Sequence, residues 1–182
     1  MRKIMLDLAV TLDGFIEGPN GEIDWCILDD DMNFDGFLAG IDTIFYGRVS
    51  YALWGNYQPE PTASDAEQSL WARVHSKKKY VFSSQPQPED HHATFITSDL
   101  AENVAAIQQQ AGTDIWLYGG AGLIKTFIDL ALIDVYRISV HPTVLGAGKP
   151  LFEHVKERIN LDLIEVNRFR SGVVQLVYEH KK

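Results

Sequence analysis

A mixed α/β fold with a central, mostly parallel sheet and helices on both faces is predicted by three features of the sequence. Strand-like and helix-like segments alternate through most of the chain, the segments "TIFYG", "YVFS" and "IWLYG" are continuous apolar runs, and the final third is rich in strand-like segments. Parallel strands buried on both faces read as continuous apolar runs. A strand-rich end predicts antiparallel strands that complete the sheet. In such a sheet the ligand crevice is expected at the carboxyl ends of the parallel strands.

Taken in order, "KIMLDLAV" is the first strand and leads into "TLDGFIEGPNGEIDW", where Gly14, Gly18, Pro19, Asn20 and Gly21 predict a long irregular loop. That loop carries Leu12, Phe15, Ile16 and Trp25, apolar residues that a loop facing only solvent would lack. A helix is expected from about Asp30 to Gly40, because Phe34, Phe37, Leu38 and Ile41 follow the i, i+3, i+4, i+7 pattern and the Asp29 to Asp31 run offers an N-cap. After the strand "TIFYG", "RVSYALWG" reads as a short helix, "NYQPEPTAS" as a loop, and "DAEQSLWARVH" as a helix with Leu70, Trp71 and Val74 inward. "KKYVFSS" is a strand ending on two hydroxyls, "ATFIT" a short strand, and "SDLAENVAAIQQQAG" a helix capped by Ser98 and stopped by Gly112. "DIWLYGG" is a further buried strand, followed by the helix "AGLIKTFIDLAL". The strands "IDVYRISVHPTVLGAGKPLFE", "INLDLIEVNRF" and "VVQLVYEH" complete the chain, with a turn around Gly146 to Pro150.

Composition narrows the function. The length of 182 residues fits one domain over 1–182 with a sizeable core. A formal net charge of −9 argues against broad nucleic-acid binding, which runs on a surplus of Lys and Arg. An anionic ligand must therefore find a local basic spot. Cys26 is the single cysteine, so no internal disulfide is possible. The start "MRKIMLDLAV" does not read as a signal peptide and no apolar run approaches membrane-spanning length, so a soluble, cytoplasmic protein is expected. His91 and His92 lack Cys or Glu at ligand spacing, and no metal site is expected.

Three strand ends carry groups suited to phosphate: Gly47-Arg48-Val49-Ser50, Ser83-Ser84, and Gly119-Gly120-Ala121-Gly122. Glycine lets the backbone approach an anion closely, and a helix that starts there offers N–H groups and the positive end of its dipole. Any one of these corners is also explained as an ordinary tight turn or cap. Three of them on one sheet point to a single ligand with several phosphates, because parallel strands deliver their carboxyl ends to one edge. The spacing is neither G-x-G-x-x-G nor G-x-x-x-x-G-K-[ST], which disfavours a nucleoside triphosphatase. Arg48 either makes an ordinary surface salt bridge or holds the 2′-phosphate of NADPH, since a guanidinium forks well onto phosphate.

The succession "LAVTLDGFI", "DTIFYGRVSY", "KKYVFSSQP", "TFITS" and "IWLYGGAGLIKTFI" resembles dihydrofolate reductase. With "LIDVYRISVHPTVLGAGKPLF", the chain is more similar still to the bacterial relatives of the reductase C-terminal domain of riboflavin biosynthesis. The resemblance covers essentially the whole chain. It implies a three-layer fold, NADPH as hydride donor and reduction of a pteridine-like ring, or alternatively of the ribosylated aminopyrimidine of riboflavin synthesis. It places Ala9, Leu12, Gly14 and Ile16 beside the nicotinamide, with the glycine-rich loop as a mobile lid. Gly47, Arg48, Val49 and Ser50 match the residues that hold the adenosine phosphates, Ser83 and Ser84 the adenosine-side hydroxyls, and Gly119, Gly120, Ala121, Gly122 and Leu123 the pyrophosphate loop. Thr97 stands where the reductases often carry a basic residue. A homodimer is also implied, and it would cover the edge left by the long C-terminal strands.

The same resemblance sets Asp30 where a carboxylate grips the substrate ring and assists its protonation; Trp25 either lines that site or belongs to the core. One helical turn before Phe34, Asp30 shares the inward face, while Asp31 precedes the polar Asp35. The alternative is that Asp29, Asp30 and Asp31 cap a helix and face water. Tyr51, Trp54 and Tyr57 read as packing, His141 as structural, and Lys77 to Lys79 as a solvated start of a strand. A protein that binds a nucleotide without catalysis is the remaining class.

Overall fold

The computed structural model describes residues 1–28, 30–85 and 91–181, with Asp30 described by its main chain alone. In chain order the elements are β1 (Ile4–Thr11), β2 (Phe15–Glu17), α1 (Phe34–Ala39), β3 (Ile41–Gly47), α2 (Arg48–Ser50), α3 (Asp65–His75), β4 (Lys78–Phe82), β5 (Thr94–Ile96) and α4 (Leu100–Gln108). They continue with β6 (Asp114–Gly119), α5 (Ala121–Asp129), β7 (Val135–His141), β8 (Lys149–Pro150), β9 (Leu161–Arg168) and β10 (Val174–His180). Eight strands belong to one mixed sheet, as the alternating pattern predicts, whereas β2, within the segment expected to be an irregular loop, pairs with β8 in a small second sheet. The chain divides into two compact units, Met1–Lys3 with Phe34–Leu123 and Ile4–Asn33 with Ile124–Lys182.

The first unit carries the run β5-β4-β3-β6, every pair of it parallel. Ile44, Phe45, Tyr46, Val81, Ile115 and Leu117 are fully buried, which is why these strands read as unbroken apolar runs. Phe34 and Phe37 of α1 stand edge-on to Trp116, each at 5.5 Å between centroids. At the strand starts the buried Arg2 guanidinium donates to Thr43 Oγ1 at 2.6 Å and Thr113 O at 2.5 Å, and is paired with Asp42.

The second unit carries β1-β7-β10-β9, in which β1 and β7 are parallel and both pairings of β10 are antiparallel. The predicted antiparallel completion is therefore present. Its buried apolar residues include Ile4, Leu6, Phe127, Ile133, Val135 and Tyr136.

Several local expectations are corrected. The helix does not run from Asp30: Asp30–Met32 is a 3-10 turn, Asn33 takes a left-handed φ of 49°, and α1 begins at Phe34. Asparagine tolerates that conformation better than most residues, so it breaks the helix while leaving the Phe34 and Phe37 spacing intact. Ser98 does not cap α4. The residue before the helix is Asp99, itself left-handed, and the helix ends at Gln108, four residues short of Gly112. Lys79 is not solvated. It is 7% exposed, and its Nζ donates to Gly55 O at 2.6 Å and contacts His75 Nδ1 at 3.3 Å. The "RVSYALWG" helix is α2 continued by a π-helical segment, Tyr51–Gly55. Trp54 and Tyr57 pack against Trp71, as expected of a packing group.

Candidate functional site

In the first unit, register brings the predicted phosphate corners to one rim. Gly47 pairs with Phe82, Phe82 with Ile96, and Tyr46 with Gly119. The residues that follow, Arg48, Ser83, Thr97 and Gly120, therefore leave the sheet at the same end. Two of the corners touch. A Cβ added at Gly120 would lie 2.9 Å from Ser50 Oγ, and one added at Gly47 would lie 3.3 Å from Gly120 N and 3.6 Å from Leu123 Cβ. The two corners therefore pack closely: a side chain at Gly47 would press on the Gly120 backbone, while one at Gly120 would crowd the rotatable Ser50 hydroxyl.

The rim is provided with groups for an anion. Helix α5 opens at Ala121, directly behind the glycines, and its first turn includes Gly122 and Leu123. A helix of that length presents N–H groups and a partial positive charge at its start. Arg48 and Val49 are exposed, and among the described residues the Arg48 side chain has neither a hydrogen bond nor an ion pair. Ser50 is half-buried, while Ser84 and Thr97 are exposed. Ser83 is committed elsewhere: its hydroxyl donates to Gln85 O at 2.8 Å and accepts from Gln85 N at 3.1 Å. A cavity of about 590 Å³ in this unit is lined by Met1, Arg2, Gln108, Gly112 and Asp114, at the strand starts and so at the other end from the rim.

In the second unit, Ala9 lies near the end of β1 opposite Ser139, half-buried. The segment after β1 is laced to the chain around 143–151. Leu12 N donates to Thr143 O, Leu151 N to Gly14 O, and β2, which contains Ile16, pairs with β8. Gly14 has a φ of 85°, which permits the turn. Asp13 gathers the loop: its Oδ1 accepts from Thr11 Oγ1 at 2.6 Å and Leu145 N at 3.2 Å, and its Oδ2 from Gly146 N at 2.7 Å. The Thr11 hydroxyl, with the backbone N–H groups, holds this carboxyl below the usual range.

Trp25 is half-buried, edge-on to His141 with centroids 5.3 Å apart. His141 is 1% exposed and its Nδ1 accepts from Ile27 N at 3.2 Å. Burial pushes its pKa down, so the ring is neutral with its hydrogen on Nε2. Burial likewise pushes the Cys26 thiol up. The Asp30 main chain sits in the 3-10 turn, while its side chain and the whole of Asp29 lie outside the described residues. Asp31 is exposed and accepts from Arg170 N and Nε, both at 3.3 Å.

Sequence reading missed the ties made by Asp13, His141 and Arg170. Each joins positions more than a hundred residues apart, and no local spacing signals such a bond.

Among the described residues no group of three or more His, Cys, Asp or Glu is placed to hold a metal ion, and no helix is long and apolar enough to cross a membrane.

A family model described as the RibD C-terminal domain matches residues 2–175. Over 177 residues the chain is 59% identical to the protein YyaP of Bacillus subtilis (strain 168), covering 97% of this chain and 94% of that one. Among solved structures, a protein of Shewanella sp. PV-4 with a provisional riboflavin biosynthesis assignment aligns over 100% of both chains, with a TM-score of 0.79 and 21% identity. Dihydrofolate reductase from Enterococcus faecalis, complexed with NADP(H), aligns over 99% of this chain and 97% of its own, with a TM-score of 0.67 and 15% identity. At such identities the two structures establish a shared fold, the dihydrofolate reductase-like one that the motifs indicate.

Proposed function

The chain belongs to the RibD C-terminal domain family, and from that premise we propose that it is an NADPH-dependent reductase of a flat, pteridine-like heterocycle. The observation that carries this reading is the rim of the first unit, where Gly47 and Ser50 meet Gly119 and Gly120 within van der Waals distance of a missing side chain. Small residues at these corners, with the start of α5 behind them, would let an extended anion approach the backbone N–H groups. Gly47, Val49, Ser50, Gly119, Gly120, Ala121, Gly122 and Leu123 would hold the phosphates, with Arg48 for the 2′-phosphate and Ser83, Ser84 and Thr97 on the adenosine side. Ser84 and Thr97 are the better candidates there, because the Ser83 hydroxyl is engaged with Gln85. Ala9, Leu12, Gly14 and Ile16 would flank the nicotinamide, and Trp25 and Asp30 the substrate. Reduced nicotinamide would supply hydride, so the chain's own task is to bind, orient and manage a proton.

A ribosylated aminopyrimidine is the second reading, favoured by the family match. Its phosphate needs a cation near the substrate end, and Arg170, paired with Asp31 next to Asp30 in sequence, would be the candidate. We also read the exposed Leu163, Ile164 and Val166 of the edge strand β9 as the surface that a second copy covers, so sedimentation is expected to give the mass of two chains.

The experiment follows NADPH oxidation by absorbance with a panel of dihydropterins and ribosylaminopyrimidines, alongside NADPH and NADH binding. Tighter binding of NADPH, with the gap narrowed by Arg48→Ala, is expected. Equal binding of the two by the wild type refutes the role of Arg48, and binding with no turnover favours the non-catalytic class.

A further inference from the structure

Cross-strand register lays a band of polar side chains on one face of the second unit's strands. Asp7, Ala9 and Thr11 share a face of β1, because alternate residues of a strand point the same way. β7 sets Arg137, Ser139 and His141 opposite them, and β10 sets Val177 and Gln175 opposite Arg137 and Ser139. β9 adds Glu165 and Asn167 at the ends of these two rows. The polar side chains meet: Arg137 Nε lies 3.7 Å from Asp7 Oδ1, Gln175 Nε2 donates to Ser139 Oγ at 3.1 Å, and Asn167 Nδ2 donates to Gln175 Oε1 at 3.3 Å.

Asp7, Ser139, Gln175 and His141 are all buried. Burying that much polarity is costly without a task, and the next residues along β1 and β7, Leu6 and Ile138, show that apolar side chains are used on the other face. The segment that carries the candidate substrate residues reaches this same face, since Ile27 N donates to His141 Nδ1 and the Trp25 ring stands against the imidazole.

We propose that Asp7 is the acid that protonates the substrate, with Arg137 holding the carboxylate that remains. The inference rests on the reductase reading and adds a residue to it. When a C=N bond of the heterocycle gains hydride at carbon, an electron pair is left on nitrogen. The Asp7 O–H bond breaks, an N–H bond forms, and the new carboxylate beside Arg137 is reprotonated from water. Reduced nicotinamide is the hydride source and the species oxidised.

Ala9, expected beside the nicotinamide, is two residues along the same face, so donor and acceptor sides of the ring would be served by one strand. Burial raises the Asp7 carboxyl from 3.8 to about 6, with Arg137 opposing, so an appreciable protonated fraction persists near neutral pH. The other charged group of the row is Glu165, exposed on β9, and the neutral His141 lies two rows away. Asp30 is then left to grip the ring or cap its turn.

The test uses the panel member that the wild type turns over fastest. The wild-type kcat/KM is expected to fall above pH about 6. Asp7→Asn should lower kcat about 100-fold or more and abolish that limb, with the NADPH dissociation constant unchanged. Arg137→Gln should move the limb to higher pH, which loss of a merely structural pair would not do. A readout without turnover is the carboxyl ¹³C signal of Asp7, whose titration midpoint should shift when the same substrate is added with oxidised NADP⁺. A pH profile and kcat left intact in Asp7→Asn overturn the assignment. So does an unmoved limb in Arg137→Gln, which decides the matter should Asp7→Asn fail to fold, and so does an unshifted ¹³C midpoint. Failure of the wild type to turn over any panel member instead overturns the reductase reading, and Asp7 as its acid with it.

Discussion

Replacing Asp7 with asparagine tests the buried carboxyl through stability, with no ligand present. The carboxyl titrates at 3.8 in an ordinary environment and at about 6 in the folded protein, chiefly because its side chain is 8% exposed, with Arg137 opposing. The folded state therefore binds the proton more tightly than the unfolded one. Its contribution is fully present below pH 3.8 and is lost as pH rises to about 6. At about 1.4 kcal/mol per unit of pKa, the loss is roughly 3 kcal/mol. Asparagine is neutral throughout and nearly isosteric, so it removes the pH dependence and keeps the shape. The carboxyls of Asp13, Glu22 and Asp129, all held low, have the opposite slope but are common to both proteins and cancel. Urea unfolding of both proteins from about pH 3 to pH 7 should show wild-type stability, taken relative to Asp7→Asn, falling by roughly 3 kcal/mol. In thermal melts the same difference corresponds to roughly 6 to 12 °C for a chain of this size. A difference that stays flat across this range would refute the reasoning: the folded protein would then hold the Asp7 proton no more tightly than water does.

Two further predictions concern the first unit. The Tyr46 hydroxyl is buried with no hydrogen-bond partner among the described residues, so Tyr46→Phe should stabilise by about 1 kcal/mol, read in a thermal melt; a comparable loss would reveal a hydroxyl that is bonded after all. Gly120→Ala brings a methyl to 2.9 Å from Ser50 Oγ and should weaken NADPH at least about tenfold, or about 1.4 kcal/mol, with the far-ultraviolet dichroism retained. Unchanged affinity would separate this corner from any cofactor.

The rim was legible because its chemistry is local. A glycine that ends an apolar run and is followed by a helix is visible in a few letters, and parallel strands bring such ends together whatever the rest of the chain does. That is why Gly47, Ser50, Gly119 and Gly120 meet as the motifs indicate. Local signals misled where a single backbone angle decided the outcome. The left-handed Asn33 and Asp99 shorten one helix and displace the cap of another, and asparagine or aspartate in sequence does not announce that choice. Lys79 misled for another reason: a lysine at a strand start reads as solvated, and only the fold reveals that Gly55 and His75 wait for its ammonium.

The polar band around Asp7 was hidden in a different way, because the alternation that encodes it is present in the letters. "VYRISVH" places Tyr136, Ile138 and Val140 on one phase and Arg137, Ser139 and His141 on the other, and the end of β1 does the same with Leu6, Leu8 and Val10 against Asp7, Ala9 and Thr11. Alternation of this kind ordinarily means that one face is wet. Here Ser139, His141, Asp7 and Thr11 are buried along with the apolar phase, so both faces are covered and polarity no longer reports exposure. What the letters lack is the partner. A slip of one residue between β1 and β7 would set Tyr136 or Ile138 opposite Asp7 and leave its carboxyl buried against an apolar side chain, at a cost of several kcal/mol unless it stayed protonated. The register that joins Asp7 to Arg137 is thus favoured by the same polarity that makes the carboxyl useful, and stability and proposed chemistry select one alignment of the two strands.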